Sequence, residues 1–350
     1  MTSTSPNPTS AMDQSNNGAG ASQLSKPRKP INQLADAMSI DQVFVLGDKQ
    51  QRTNRQGSQY LLLKLTDRTG TIVAMLWNAD NDTYDQLERG GYVQCAGRTQ
   101  IHQGALQIIL SSIAVADPPT VNPADFDRFD ADAADEAETT LIEILTGLTN
   151  PPLKQLASCY LNDESFMKRF RRATAAVSNH HAYPGGLLRH TVDLMEICQF
   201  MGPRYQRVNT DLLTFGAFLH DLGKIEEILC EGELTYSDRG QFVGHIVIGI
   251  QMLGEKIAQY ETETEQAFPA ELRLHLEHLI VSHHGQREYG SPCLPATMEA
   301  IALHHIDNLD AKVTSFDSLI ESSMGNQDHW TPYLPSISRK LWKKPDVPNA

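Results

Sequence analysis

The chain has 350 residues, of which 40% are hydrophobic and 21% charged, and a formal net charge of −14. That length allows two domains and a sizeable core, and no apolar run approaches the roughly 20 residues that span a bilayer. The acidic balance argues against a protein that coats duplex nucleic acid electrostatically, although a local groove for a single strand is compatible with it, since net charge says little about one face.

Residues 1–36 are rich in Ser, Asn, Pro and Gly, with a small basic patch at Lys26, Arg28 and Lys29. They read as a disordered tail. The polar start, MTSTSPNPTSAMDQSNNGAGASQ, lacks the apolar core of a signal peptide. Cys95, Cys159, Cys198, Cys230 and Cys293 are far apart and form no C-x-x-C motif. Both features point to reduced thiols in a cytoplasm.

Residues 37–117 carry a β pattern. Five short segments rich in β-branched and aromatic residues stand at 43–49, 59–67, 71–77, 92–98 and 106–115. Turn signals such as Asp67-Arg68-Thr69-Gly70 separate them. A short helix is expected from Asn81 to Glu88, between the third and fourth strands. That order matches an OB-fold barrel, with a sandwich fragment as the alternative. Such a barrel binds single strands by stacking bases on aromatics and tracking phosphates with cations. Tyr60, Trp77 and Tyr92 are the candidate aromatics, and Lys49, Arg52, Arg55, Lys64 and Arg98 the candidate cations. The segment from Lys49 to Ser58, basic and free of acids, is expected to be a loop and the main contact with nucleic acid.

Residues 118–140 are acidic and rich in Pro and Ala, which suggests a linker or a structured connector whose phenylalanines dock. From 141 to 325 apolar residues recur three or four apart, as in helices. Residues 326–350 mix aromatics with a basic end and read as a C-terminal tail. The expected fold is multidomain α+β: a small five-stranded OB-fold barrel followed by an all-α domain.

The helical part holds His190, the pair His220-Asp221, His245, the pair His283-His284 and Asp307 in five separate segments. Helical spacing places His190 with Leu187, Leu194 and Cys198, and His245 with Ile248, Gly249 and Met252. His283 continues the stripe of Leu276, Leu279 and Ile280. Each candidate therefore faces inward, where an unpaired polar group is costly to bury. Imidazole and carboxylate are ligands of divalent metals, so a shared metal cavity would account for all of them together. Any one of these histidines alone could equally be a satisfied core residue.

The pattern H…HD…D on helices resembles the HD superfamily of metal-dependent phosphohydrolases. The stretches HHAYPGGLLRHT (180–191), FLHDLGK (218–224), SHHGQREYGSP (282–292) and ALHHIDNLDAK (302–312) resemble those of the YhaM-type 3′→5′ exoribonuclease family, which joins an N-terminal OB-fold to an HD domain. The resemblance implies that His190, His220, Asp221 and Asp307 hold a first metal. It implies that His245, His283 and His284 hold a second, with Asp221 bridging. Mn²⁺ is the implied metal, and Fe²⁺, Co²⁺ or Zn²⁺ also suit the donors. Lys224 is then placed to neutralise charge on the phosphate during hydrolysis by metal-activated water. His181, Lys312 and Tyr289 become candidates for touching substrate.

Three functions are consistent with these features. The first is a metal-dependent 3′→5′ exonuclease on single-stranded RNA, with single-stranded DNA as a second substrate, releasing 5′-mononucleotides. The second is a small-nucleotide or cyclic-dinucleotide HD phosphohydrolase, for which the barrel has no role. The cyclic-dinucleotide subgroup carries Gly-Tyr-Pro after its His-His segment, whereas this chain has Tyr289-Gly290-Ser291-Pro292. The third is a non-catalytic single-strand binder, which the complete ligand set disfavours. No membrane partner is expected.

Overall fold

A computed structural model describes residues 28–343, apart from 55, 80, 103–104, 178–180, 231–233, 322 and 324–327. Five strands, β1 (Ser39–Thr53), β2 (Gln59–Asp67), β3 (Gly70–Trp77), β4 (Tyr92–His102) and β5 (Ala105–Val115), close into a barrel in the order β1-β2-β3-β5-β4. Among the described residues the one parallel pairing is β3 with β5, and closure removes the free edges a sandwich fragment would leave. Helix α1 (Asn81–Gln86) sits between β3 and β4, as the sequence suggested. Alternation drives the fold: Leu61, Leu63 and Leu65 of β2 fill the interior with Phe44, Leu46, Val93, Cys95 and Ile108. Gly97 is required where β4 bends over β5, because a Cβ there would meet the Ile109 carbonyl oxygen at 2.3 Å.

Two expectations change, and of the two readings of residues 118–140 the structured connector is the one seen. Lys49–Thr53 is not loop but the end of β1, paired with Gln59–Leu63, because the cross-strand register continues past the apolar segment. For residues 1–27 the tail reading lies outside the described residues, and for residues 28–36 it does not hold. From Arg28 onward the chain lies on the barrel: Arg28 pairs with buried Asp67 at 2.9 Å, and the Ile31 amide donates to the same carboxylate at 2.8 Å. Residues 118–140 contain two short 3₁₀ turns and the first part of α2 (Ala131–Thr146), capped by Asp130 and burying Ala134 and Ala137. Of the connector's phenylalanines, Phe126 packs on Tyr92 of the barrel at 5.1 Å and Phe129 lies under the Arg172 guanidinium at 4.4 Å. One aromatic thus grips each domain, and Arg172 adds an ion pair to Asp127 at 3.2 Å.

The helical domain follows with α3 (Pro151–Leu161), α4 (Glu164–Arg172), α5 (Gly186–Met201), α6 (Thr210–Leu219), α7 (Lys224–Glu227), α8 (Asp238–Val243), α9 (His245–Thr264), α10 (Ala270–Ser282) and α11 (Met298–Glu321). It is not purely helical, since Ile228–Leu229 and Thr235–Tyr236 form a small antiparallel ladder. Every residue of α6 from Leu212 to Leu219 is buried, as expected of a helix that is apolar on all sides. It packs against α5, α10 and α11. The chain therefore delivers His220 and Asp221, which follow α6 directly, to the centre of the domain. The C-terminal segment also has structure: Trp330 bridges Trp342, Leu334 bridges Arg339, and Leu341 is buried.

Candidate active site

Five chain segments converge on Asp221. Its Oδ1 lies 3.5 Å from both His245 Nε2 and His283 Nε2, while its Oδ2 lies 3.3 Å from His220 Nε2 and 3.9 Å from His190 Nε2. One carboxylate thus faces two groups of imidazoles, one through each oxygen. Asp307 Oδ1 closes on His190 Nε2 at 3.4 Å. The ligand atoms of His190, His220 and Asp221 lie within 4.8 Å of one another, and so do those of His245, His283 and His284. All seven residues proposed as metal ligands are therefore brought together.

The rings are held so that the right nitrogen faces inward. His220 and His283 stand at the ends of α6 and α10, where the last carbonyls lack helical partners. Each donates Nδ1–H to the carbonyl three residues back, Ala217 and Ile280, at 2.7 Å. His190 Nδ1 meets Asp310 Oδ2 at 2.8 Å, and His245 Nδ1 meets Glu227 Oε1 at 3.1 Å. Anchoring Nδ1 leaves Nε2 as the free donor atom, the usual arrangement behind a metal-binding histidine. Asp310 and Glu227 join the cluster through these contacts, and neither was among the residues the sequence singled out. Asp310 was visible as one helical turn beyond Asp307, but Glu227 beside Glu226 looks like any solvated acid.

Among the described residues, His220 Nε2, Asp221 Oδ1, His245 Nε2, His283 Nε2 and His284 Nδ1 are buried without a hydrogen-bond partner. Five such orphans around one point would be costly unless something occupies it. Imidazole and carboxylate donors without a thiolate fit a divalent cation. The electrostatics agree. Burial disfavours charge on Asp221, yet Lys224 and His220 beside it hold its carboxyl well below the usual range. Burial lowers the His190 pKa, but Asp307 and Asp310 outweigh it and raise it to about 9. Burial and the neighbouring imidazoles His283 and His245 push His284 down to about 4, so it stays neutral and able to ligate.

The remaining candidates divide. Lys224 Nζ sits 2.6 Å from Asp221 Oδ2, at the centre. Burial works against its charge, but Asp221 more than compensates and raises its pKa. His181 is buried with Nε2 3.3 Å from Asp310, in the network behind the ligands. Tyr289 is exposed in the loop after His284, and Lys312 is exposed on α11. On the barrel, Arg52 pairs across to Tyr60, and Tyr60 to Trp77, whose ring lies 5.0 Å away. These three form one row. Tyr92 packs on Phe126, Lys49 caps the Tyr84 carbonyl at 2.6 Å, and Arg98 holds the Ala37 carbonyl at 3.1 Å. Those three serve the fold. Arg55 lies outside the described residues.

Comparison with known proteins agrees with this architecture. Residues 44–116 match the model for an OB-fold nucleic acid binding domain, and residues 187–312 that for the HD domain. The 3′-5′ exoribonuclease YhaM of Oceanobacillus iheyensis is 29% identical over 308 residues, covering 88% of this chain and 94% of that protein. YhaM of Bacillus subtilis is 30% identical over 283 residues, covering 81% of this chain and 88% of its own length. With both domains matched in order and relatives aligned along most of their lengths, the chain belongs to the YhaM family of 3′-5′ exoribonucleases.

Proposed function

We infer that this protein is a metal-dependent 3′→5′ exoribonuclease that shortens single-stranded RNA and releases 5′-mononucleotides. The observation that carries the reading is Asp221, whose two oxygens face two sets of inward-pointing imidazoles. His190, His220, Asp221 and Asp307 would hold one divalent ion, and His245, His283 and His284 a second, with Asp221 common to both. The donor set suits Mn²⁺, our choice, as well as Fe²⁺, Co²⁺ or Zn²⁺. The chemistry supplied by ions at such a site is Lewis-acid charge beside the scissile phosphate and a water of lowered pKa.

The chain's own groups do the rest. Asp310 and Glu227 hold His190 and His245 by Nδ1 and keep Nε2 directed at the centre. Lys224 keeps a positive charge next to Asp221 and stabilises charge growing on the phosphate oxygens. Arg52, Tyr60 and Trp77 offer the strand a stacking and phosphate contact remote from the chemistry. The five cysteines are free, and among the described residues no helix is long and apolar enough to cross a membrane. Both are compatible with work in a cytoplasm.

The test is incubation with Mn²⁺ and a 5′-labelled single-stranded RNA, alongside Asp221→Ala and with single-stranded DNA as comparison. A descending ladder of labelled products, lost in the variant, is the expected result. RNA left intact under each of the four metals refutes the reading and moves weight to a small nucleotide substrate.

A further inference from the structure

Between the barrel and the helical domain lies a cleft of about 1190 Å³. Its lining is cationic in a chain whose net charge is −14. Lys64, Arg128, Lys168, Arg169 and Arg172 face it, against only two carboxylates, Asp67 and Asp127. Both carboxylates are already neutralised, Asp67 by Arg28 and Asp127 by Arg172. Among the described residues Lys64, Arg128 and Lys168 are exposed and make no ion pair. An unpaired cationic surplus on an acidic protein is the footprint of a polyanion.

The two ends of the cleft identify the polyanion. On β2 the residues Leu61, Leu63 and Leu65 point inward, so Tyr60, Leu62, Lys64 and Thr66 share the outer face. Lys64 and Thr66 line the cleft. The same row begins four residues earlier, roughly 13 Å away at strand spacing, with Tyr60 stacked on Trp77 and flanked by Arg52. At the other end the lining includes Ala182 and Ile225, the chain neighbours of His181 and Lys224. The cleft therefore runs from the β2 face that carries this row to segments that adjoin the Asp221 centre in the chain. Phe126 and Phe129, one on each domain, hold the connector that borders it.

We propose that single-stranded RNA passes from the barrel to the catalytic centre through this cleft, with successive phosphates on Lys64, Arg128 and Lys168. The inference rests on the exoribonuclease reading above and adds the path to it.

The experiment uses the full chain with Lys64→Glu, Arg128→Glu and Lys168→Glu combined, and Lys154→Glu, on exposed α3 surface, as control. RNA affinity is measured on the Asp221→Ala background by fluorescence anisotropy across a salt series, using a labelled single-stranded 20-mer. Turnover of bis(p-nitrophenyl) phosphate, a diester too small to reach the cleft, is measured with Asp221 intact. Loss of three phosphate contacts should reduce the log–log salt slope by roughly 2 and weaken binding about tenfold, with small-diester turnover and Lys154→Glu binding unchanged. Two results overturn the path alone: RNA shortening by the unaltered protein with binding by the triple variant unchanged, or equal weakening in Lys154→Glu. Unaltered protein that hydrolyses the small diester but neither binds nor shortens RNA overturns the exoribonuclease reading itself.

Discussion

Alanine at Gly223 tests whether backbone packing sets the position of His245. Gly223 follows the His220-Asp221 turn and lies against the first turn of α9. A Cβ there would meet the His245 carbonyl oxygen at 2.0 Å and the Gly249 amide nitrogen at 2.8 Å. Real Cβ atoms essentially never approach within 3.0 Å, so the two segments must separate by about 1 Å. Both neighbours are backbone atoms, and no rotamer change relieves the contact. His245 moves with its backbone, away from Asp221 Oδ1, now 3.5 Å from its Nε2. A misplacement of about 1 Å costs on the order of 100-fold in rate, and overpacking adds roughly 1–3 kcal/mol of instability. The assay is kcat/KM on single-stranded RNA, with metal content after dialysis and a thermal melt. Gly254→Ala is the control, on the same helix but with no atom within 4 Å of the new Cβ. It should keep full activity and gain up to about 1 kcal/mol from helix propensity. Wild-type kcat/KM and metal content in Gly223→Ala would show that α9 absorbs the strain, and would refute the reasoning.

Lys224→Met should lower kcat by roughly 10²–10³ in single-turnover measurements, with the metal retained; a fall in stability with kcat intact would assign the residue to the fold instead. Asp310→Asn and Glu227→Gln remove the carboxylates behind His190 and His245. Each should weaken metal binding about 10–100-fold in chelator competition, and unchanged affinity would remove them from the site. In the metal-free protein His190 keeps its proton up to about pH 9, so binding must displace it. Titration calorimetry in buffers of different ionisation enthalpy should register about one proton released at pH 7.5 from this residue and none at pH 10, with affinity rising about tenfold per pH unit until pH 9. The sign for stability follows from the same shift. The folded value lies above the ordinary 6.5, so the metal-free protein holds this stabilisation fully below pH 6.5 and loses it as pH rises through 9. A flat melting profile over that range, in the absence of metal, would contradict it.

Much of the barrel could be read locally. Alternating apolar residues in 59–67 already determine which side of β2 faces in, because the side-chain period of a strand is two. Where β1 ends could not be read so. Lys49–Thr53 is polar and belongs to the sheet only because Gln59–Leu63 stands opposite. The acidic connector was ambiguous for the same reason: Asp127, Phe126 and Phe129 find their partners, Arg172 and Tyr92, on two different domains.

The sequence by itself determined which histidines and aspartates are the candidates, the helical faces that carry them, and the placing of His220 and His283 at helix ends. These depend on periodicity and capping, both local. Tertiary structure alone decided that five segments meet at Asp221, and that each of its oxygens faces a different group. It also decided that Asp310, 120 residues from His190, and Glu227, 18 residues from His245, choose which nitrogen each ring presents. Helical spacing specifies the direction of a side chain around its own axis. The distance to another helix is set by the packing of α6 against α5, α10 and α11, and that packing depends on contacts between residues far apart in the chain.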